Sequence, residues 1–190
     1  STDGNRVTQV NLSELKGGRL FWELCRTLPE YEFLAVCGGW GQQVLPDGGE
    51  VTPHNSYKPM KTLAPTNCRV NPTSTAMIEE VYSQTRILVA PTEHVNEHQF
   101  GESWGMTAVE AMASGIPVIS TDSPGAREAL GDAAIWCDQL NRSEWIDAIR
   151  SLDNANEYRK RSDAGIDQVK NLRTGDDLVT LERTLLAAAR

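Results

Sequence analysis

The sequence predicts an α/β fold, a parallel sheet with helices on both faces. Three observations predict it. Apolar runs of four to six residues, such as RILVA from Arg86 to Ala90, alternate with amphipathic stretches of helical period. These runs lack polar alternation, as expected of strands buried on both faces. Glycine and proline bound them, as at Gly38-Gly39 and Pro91. At 190 residues the chain suits a single domain, residues 1–190, with 154–190 appended as a helical tail.

Taken in order, Val7 to Leu12 reads as the first strand, followed by Lys16-Gly17-Gly18 and a helix from about Arg19 to Leu28. Glu32 to Cys37 is a second strand, ending at Gly38-Gly39-Trp40-Gly41. Gln42 to Lys61, rich in Pro, Gly and Asn, predicts a long loop. A short strand is expected around Cys68 to Val70, then a helix from Ser74 to Ser83 with Thr73 or Ser74 as N-cap. After the RILVA strand, Gly105 to Ser114 reads as a helix closed by Gly115. Pro117 to Ser120 is a strand, Gly125 to Leu130 a short helix, and Ala133 to Cys137 the last strand. From Arg142 onward the pattern is helical, with breaks near Asn154 and at Arg173-Thr174-Gly175.

Composition narrows the function. The net charge of -8 argues against a nucleic-acid partner, whose backbone favours clustered Lys and Arg. A small anionic ligand remains compatible, because a few local donors outweigh net charge. No run approaches the roughly 20 apolar residues of a membrane span, so membrane contact is expected to be peripheral if any. The polar start, Ser1 to Arg6, has no signal-peptide core, and Cys25, Cys37, Cys68 and Cys137 form no CxxC pair. Four reduced core thiols and a cytoplasmic location are the expectation.

In a parallel sheet ligands bind beyond the carboxyl ends of the strands. The loops of interest are Leu12 to Gly18, Gly38 to Gln43, Val70 to Ser74, Pro91 to Trp104 and Thr121 to Ala126. The most informative stretch is FGESWGMTAVEAMASGIPVI, Phe100 to Ile119. Glu102 precedes a helix start marked by Gly105, and Glu110 lies inside that helix. Helical rise over eight residues would separate the carboxylates by ~12 Å, too far for an acid-base pair on one bond. The spacing suits two groups gripping opposite ends of one elongated ligand. Between them lies a helix N-terminus, which favours phosphate. A carboxylate is also a good acceptor for a sugar diol.

That stretch closely resembles the E-x7-E signature of GT-B glycosyltransferases, especially the retaining family 4, and continues through Glu110-Ala-Met-Ala-Ser-Gly-Ile-Pro-Val-Ile119. Pro124-Gly-Ala-Arg-Glu128 resembles the segment that follows it, and Leu15-Lys16-Gly17 after a strand resembles the lysine-glycine motif. The resemblance covers roughly Thr8 to Asp138. It implies a Rossmann-like domain, the C-terminal half of a GT-B fold, binding a nucleotide diphosphate sugar. Lys16 would contact the diphosphate and stabilise the leaving phosphate. Glu102 would contact the transferred sugar, with Lys16 and Glu102 as the catalytic pair. Backbone N–H groups of Ser103, Trp104, Gly105 and Met106 would hold sugar or phosphate oxygens. Glu110 would bind the ribose hydroxyls, and the loop around Val70 and Asn71 would cradle the base. Gly17 completes the lysine turn.

One position departs from the pattern. Many members carry arginine five residues before the lysine, where this chain has Asn11, and an amide donates a hydrogen bond but neutralises no charge. The resemblance further implies retention at the anomeric carbon, no cofactor and no metal. It also implies a separate N-terminal acceptor-binding domain, without which this chain would be inactive alone. A nucleotide-sugar epimerase or a binding-only domain would share the architecture. His94-Val-Asn-Glu-His98 fits the H-x-x-E-H motif of some zinc peptidases, but a polar, loop-like setting argues for a solvated or lid-like segment. Gly38-Gly39-Trp40-Gly41 serves equally as phosphate loop or turn, and Arg127 and Glu128 read as surface helix residues.

Overall fold

The computed structural model describes residues 4–72, 78–92 and 105–172. In chain order the elements are β1 (Arg6–Val10), a 3-10 turn (Glu14–Lys16), α1 (Gly18–Thr27), β2 (Glu32–Val36), β3 (Gln43–Val44), β4 (Glu50–Val51), α2 (Pro53–Leu63) and β5 (Cys68–Asn71). There follow α3 (Ile78–Gln84), β6 (Thr85–Ala90), α4 (Met106–Ala113), β7 (Val118–Thr121), α5 (Pro124–Leu130), a second 3-10 turn (Gly131–Ala133), β8 (Ile135–Cys137), α6 (Arg142–Ser151) and α7 (Ala155–Leu172). Six strands form one parallel sheet in the order β5-β2-β1-β6-β7-β8, and β3 and β4 form a separate antiparallel pair. The order reverses at β1, which puts a topological switch point between β1 and β6.

Alternation along the strands divides the core. Val7, Phe33, Ala35, Ile87, Val89 and Ile119 pack with Phe21, Trp22 and Leu24 of α1 and Trp145 and Ile149 of α6. Leu34, Val36, Leu88 and Val118 pack with α3, α4 and α5 on the opposite face. The helices on both faces account for strands that read as continuous apolar runs. α4 ends as expected at a left-handed Gly115 (φ 74°). Gly115 N–H donates to the Met112 carbonyl at 2.9 Å, and Ile116 N–H to that of Ala111 at 2.9 Å, a Schellman closure. α7 then docks on this end, where Ser162 Oγ donates to the Gly115 carbonyl at 2.7 Å. Among the described residues, no helix is long and apolar enough to cross a membrane.

The expected loop from Gln42 to Lys61 is largely ordered secondary structure instead. Asp47-Gly48 turns the β3–β4 hairpin, with Gly48 left-handed (φ 90°) and Asp47 Oδ1 accepting from Gly49 N–H at 3.0 Å. Pro53 then opens α2, where its missing N–H costs nothing. Pro59 inside α2 does remove a bond. Burial of Met60 and Ser56 on the helix's inner face, both fully buried, offsets that loss. The first strand also ends earlier than predicted, at Val10, because Asn11 turns into left-handed backbone (φ 66°). The predicted N-caps Thr73 and Ser74 and the Arg173-Thr174-Gly175 break lie outside the described residues, as does the tail beyond Leu172.

Candidate functional site

Because all six strands are parallel, their following loops gather at one edge. Asn11 is the only non-glycine with positive φ among the described residues. Its Oδ1 accepts from Ser13 N–H at 3.1 Å, an Asx turn that swings the chain across the strand ends. The 3-10 turn follows and closes at Gly17 (φ 73°), whose N–H donates to the Glu14 carbonyl at 2.8 Å. A Cβ on Gly17 would lie 2.2 Å from the Pro91 carbonyl oxygen. The Lys16–Gly17 turn therefore presses against the end of β6, across the switch point. A Cβ on Gly18 would likewise meet the Leu12 carbonyl oxygen at 2.2 Å, so space demands both glycines. From beneath, buried Gln9 of β1 donates to the Lys16 carbonyl at 2.7 Å.

Gln43 ties this turn to the loop after β2. It is fully buried, and its Oε1 accepts from Leu12 N–H at 3.1 Å and Gly38 N–H at 2.8 Å. Its Nε2 donates to Asn11 Oδ1 at 2.8 Å and reaches the carbonyls of Trp40 at 3.1 Å and Gly41 at 3.3 Å. The Gly38–Gly41 segment is thus a turn fastened by a buried amide. Asn11 Oδ1 is committed to Ser13 and Gln43, and Gly38 has no room for a Cβ, which would lie 2.3 Å from that oxygen.

On the other side of the switch point, α4 opens at left-handed Gly105 (φ 64°) with no side chain capping it. Met106 is exposed at its first position and Glu110 half-buried one turn on. Helical rise from Met106 to Glu110 is about 6 Å, and the expected ~12 Å separation from Glu102 lies outside the described residues. Tyr82 of α3, 5 % exposed, places its hydroxyl 2.9 Å from Glu110 Oε2 and 3.0 Å from the Thr107 carbonyl oxygen. Burial, then the bond to the Glu110 carboxylate, pushes the Tyr82 phenol well above its ordinary pKa.

At the β5 edge, Val70 and Asn71 line a cavity of about 430 Å³ with Tyr57 and Lys61 of α2, Pro72 and Glu80. Asn71 is 4 % exposed, and its side-chain amide nitrogen is buried without a hydrogen-bond partner.

The structure thus brings Gly17, and with it the turn that carries Lys16, against the end of β6, ties Asn11 to Ser13 and Gln43 within that turn's support, and sets Gly105, Met106 and Glu110 on the helix that follows β6. Val70 and Asn71 lie at the same edge of the sheet, two strands from β1. Glu102, Ser103, Trp104 and the His94–His98 motif lie outside the described residues. Among those described, no three His, Cys, Asp or Glu side chains gather as a metal-holding group. Arg127 is on the surface, paired with Asp122 through two 2.7 Å bonds and stacked 4.2 Å from the Trp136 ring. Cys25, Cys37 and Cys137 are free and buried, while Cys68 is free and half-buried. Sequence reading missed Gln9, Gln43 and Tyr82.

Known structures share this fold. Sucrose-phosphate synthase from Thermosynechococcus elongatus superimposes with a TM-score of 0.72 at 20% identity, over 99% of this chain and 47% of that one. Anabaena HepE, in complex with UDP-glucose, gives 0.68 at 15% identity, over 98% and 49%. The architecture is that of a GT-B glycosyltransferase domain. Residues 12–167 match the family model for glycosyl transferases group 1, and the chain belongs to that family. The D-inositol 3-phosphate glycosyltransferase of Corynebacterium glutamicum is 31% identical over 144 residues, 73% of this chain and 31% of that protein. The chain thus spans under a third of that relative's length.

Proposed function

We propose that this chain is the donor-binding domain of a retaining, metal-independent glycosyltransferase, a single domain of residues 1–190, acting on a nucleotide diphosphate sugar. The observation that carries this reading is the Lys16–Gly17 turn pressed on Pro91 at the switch point, with the N-terminus of α4 following the same strand. Anions are favoured at both features. Lys16 contacts the diphosphate, and its charge offsets the negative charge that builds on the leaving phosphate. Glu102 holds the transferred sugar, Ser103 to Met106 donate backbone N–H groups, and Glu110 takes the ribose. The cavity beside Val70 and Asn71 takes the base, which would supply an acceptor to the unpaired Asn71 amide. Asn11 shapes the turn from below and adds no charge. The UDP-glucose bound by Anabaena HepE supports a donor of this class.

No catalytic base is assigned; the donor phosphate takes the acceptor proton. The acceptor binds between this domain and a second one, so this chain alone transfers nothing. Leu15, Trp40 and Met106, each about half exposed at the carboxyl edge of the sheet, support a surface that another domain covers. Cytoplasmic sugar donors fit the reduced cysteines.

Calorimetric titration with UDP, GDP, ADP and their glucose conjugates tests the reading. We expect saturable binding of one base, weakened roughly 10- to 100-fold by Lys16→Ala and by Glu110→Ala, with no divalent ion present. Binding that neither substitution weakens, or that depends on a divalent ion, would overturn it.

A further inference from the structure

We propose that Tyr82 is a positioning residue, fixing the Glu110 carboxylate in advance to accept a ribose diol. The inference rests on the donor-site reading and extends it to a residue outside the motif. A buried phenol needs a partner for its hydroxyl, and Tyr82 has two oxygens within reach, Glu110 Oε2 at 2.9 Å and the Thr107 carbonyl at 3.0 Å. The hydroxyl has one proton. An ionised carboxylate is the stronger acceptor, and the Thr107 carbonyl already lies inside the ladder of α4. The proton therefore points to Glu110.

The geometry suits a diol for three reasons. A carboxylate has about four acceptor positions, and the phenol occupies one on Oε2, leaving Oε1 and the rest of Oε2 for two ligand hydroxyls. Glu110 is half-buried, so part of the residue stays open to a ligand. An untethered glutamate turns about three side-chain bonds and loses that freedom when a ligand binds. The contact from Tyr82 imposes the order beforehand. Tyr82 belongs to the buried cluster that also holds Leu34, Leu88, Ala108 and Met112, so phenylalanine at this position keeps the buried ring and removes only the tether.

The test is titration of the full chain with UDP, GDP and ADP and with their 2′,3′-dideoxy counterparts. For the nucleotide that binds, Tyr82→Phe should weaken affinity about 3- to 10-fold and leave the dideoxy counterpart's affinity unchanged. In a Glu110→Ala background, Tyr82→Phe should change neither. A merely structural tie between α3 and α4 predicts instead a lower unfolding temperature with both affinities intact, or both lowered equally; either result overturns the inference. If Glu110→Ala loses the preference for ribose while Tyr82→Phe keeps it, only the role of Tyr82 falls. If the wild-type chain binds none of the six, the donor-site reading falls and this inference with it.

Discussion

Lys16 follows β1 and Glu110 follows β6, and the protein holds the two in different ways. Around Lys16 the constraint is in the backbone. The turn closes on a left-handed glycine, lies against Pro91, receives a bond from Gln9, and stands on the Asn11–Gln43–Gly38 knot. Around Glu110 the backbone is an ordinary helix, and the orientation of the carboxylate depends on one phenol. Backbone constraint suits a diphosphate, which carries charge in every orientation and needs a fixed distance. A side-chain tether suits a diol, which must meet both carboxylate oxygens in the right plane.

The comparison breaks most severely at the knot. Gln43→Leu keeps the volume and removes the acceptor for the Leu12 and Gly38 N–H groups. Leaving such buried groups without that partner should cost about 3 kcal/mol, a fall of roughly 6–12 °C in unfolding temperature for a chain this size. Urea and thermal unfolding check this; a change under about 0.5 kcal/mol would show that the amide does not carry the loop. Gly17→Ala should come next. Left-handed backbone costs alanine roughly 1–2 kcal/mol before the contact with Pro91 is counted, so a total near 2–4 kcal/mol is expected. The same substitution displaces Lys16, so nucleotide affinity should fall with stability. The Lys16→Ala chain, by contrast, keeps the glycine turn, and should lose affinity with a smaller fall in unfolding temperature than Gly17→Ala.

This contrast also explains what the sequence made legible. The sheet, its strands and the Lys16–Gly17 turn were readable because each depends on neighbours in sequence: apolar runs, or a glycine that only a tight turn requires. Helix α2 was hidden by Pro59 and by the glycines of the hairpin before it, although Pro53 is a common helix opener. It is held by contacts distant in sequence, such as Met60 meeting Cys37 across 23 residues, sulfur to sulfur at 3.7 Å. The supports of the site were hidden for the same reason. Gln43 meets Asn11 across 32 residues, and Tyr82 meets Glu110 across 28. No local period marks such pairs, because the partner arrives only with the fold. Asn11, which stands where many members carry arginine, uses its oxygen to shape the turn itself.

The smallest effect distinguishes the two supports by pH. The backbone devices around Lys16 do not titrate, whereas the tether at Glu110 does. Burial and the Glu110 carboxylate raise the Tyr82 phenol above its ordinary value of 10.0. An acid whose folded pKa is raised contributes stability that is complete below the unfolded pKa and is lost as pH climbs above it. Tyr82→Phe should therefore start about 1 kcal/mol below wild type at pH 7, from the missing hydrogen bond. By pH 11 wild type should have lost about 1.4 kcal/mol relative to pH 7, enough to close the gap, because only wild type must keep a phenol protonated that the unfolded chain would release. Urea unfolding of both chains from pH 7 to 11 measures the gap directly. Curves that stay parallel to pH 11 would mean that the phenol titrates alike in both states, and that Glu110 is not held by it.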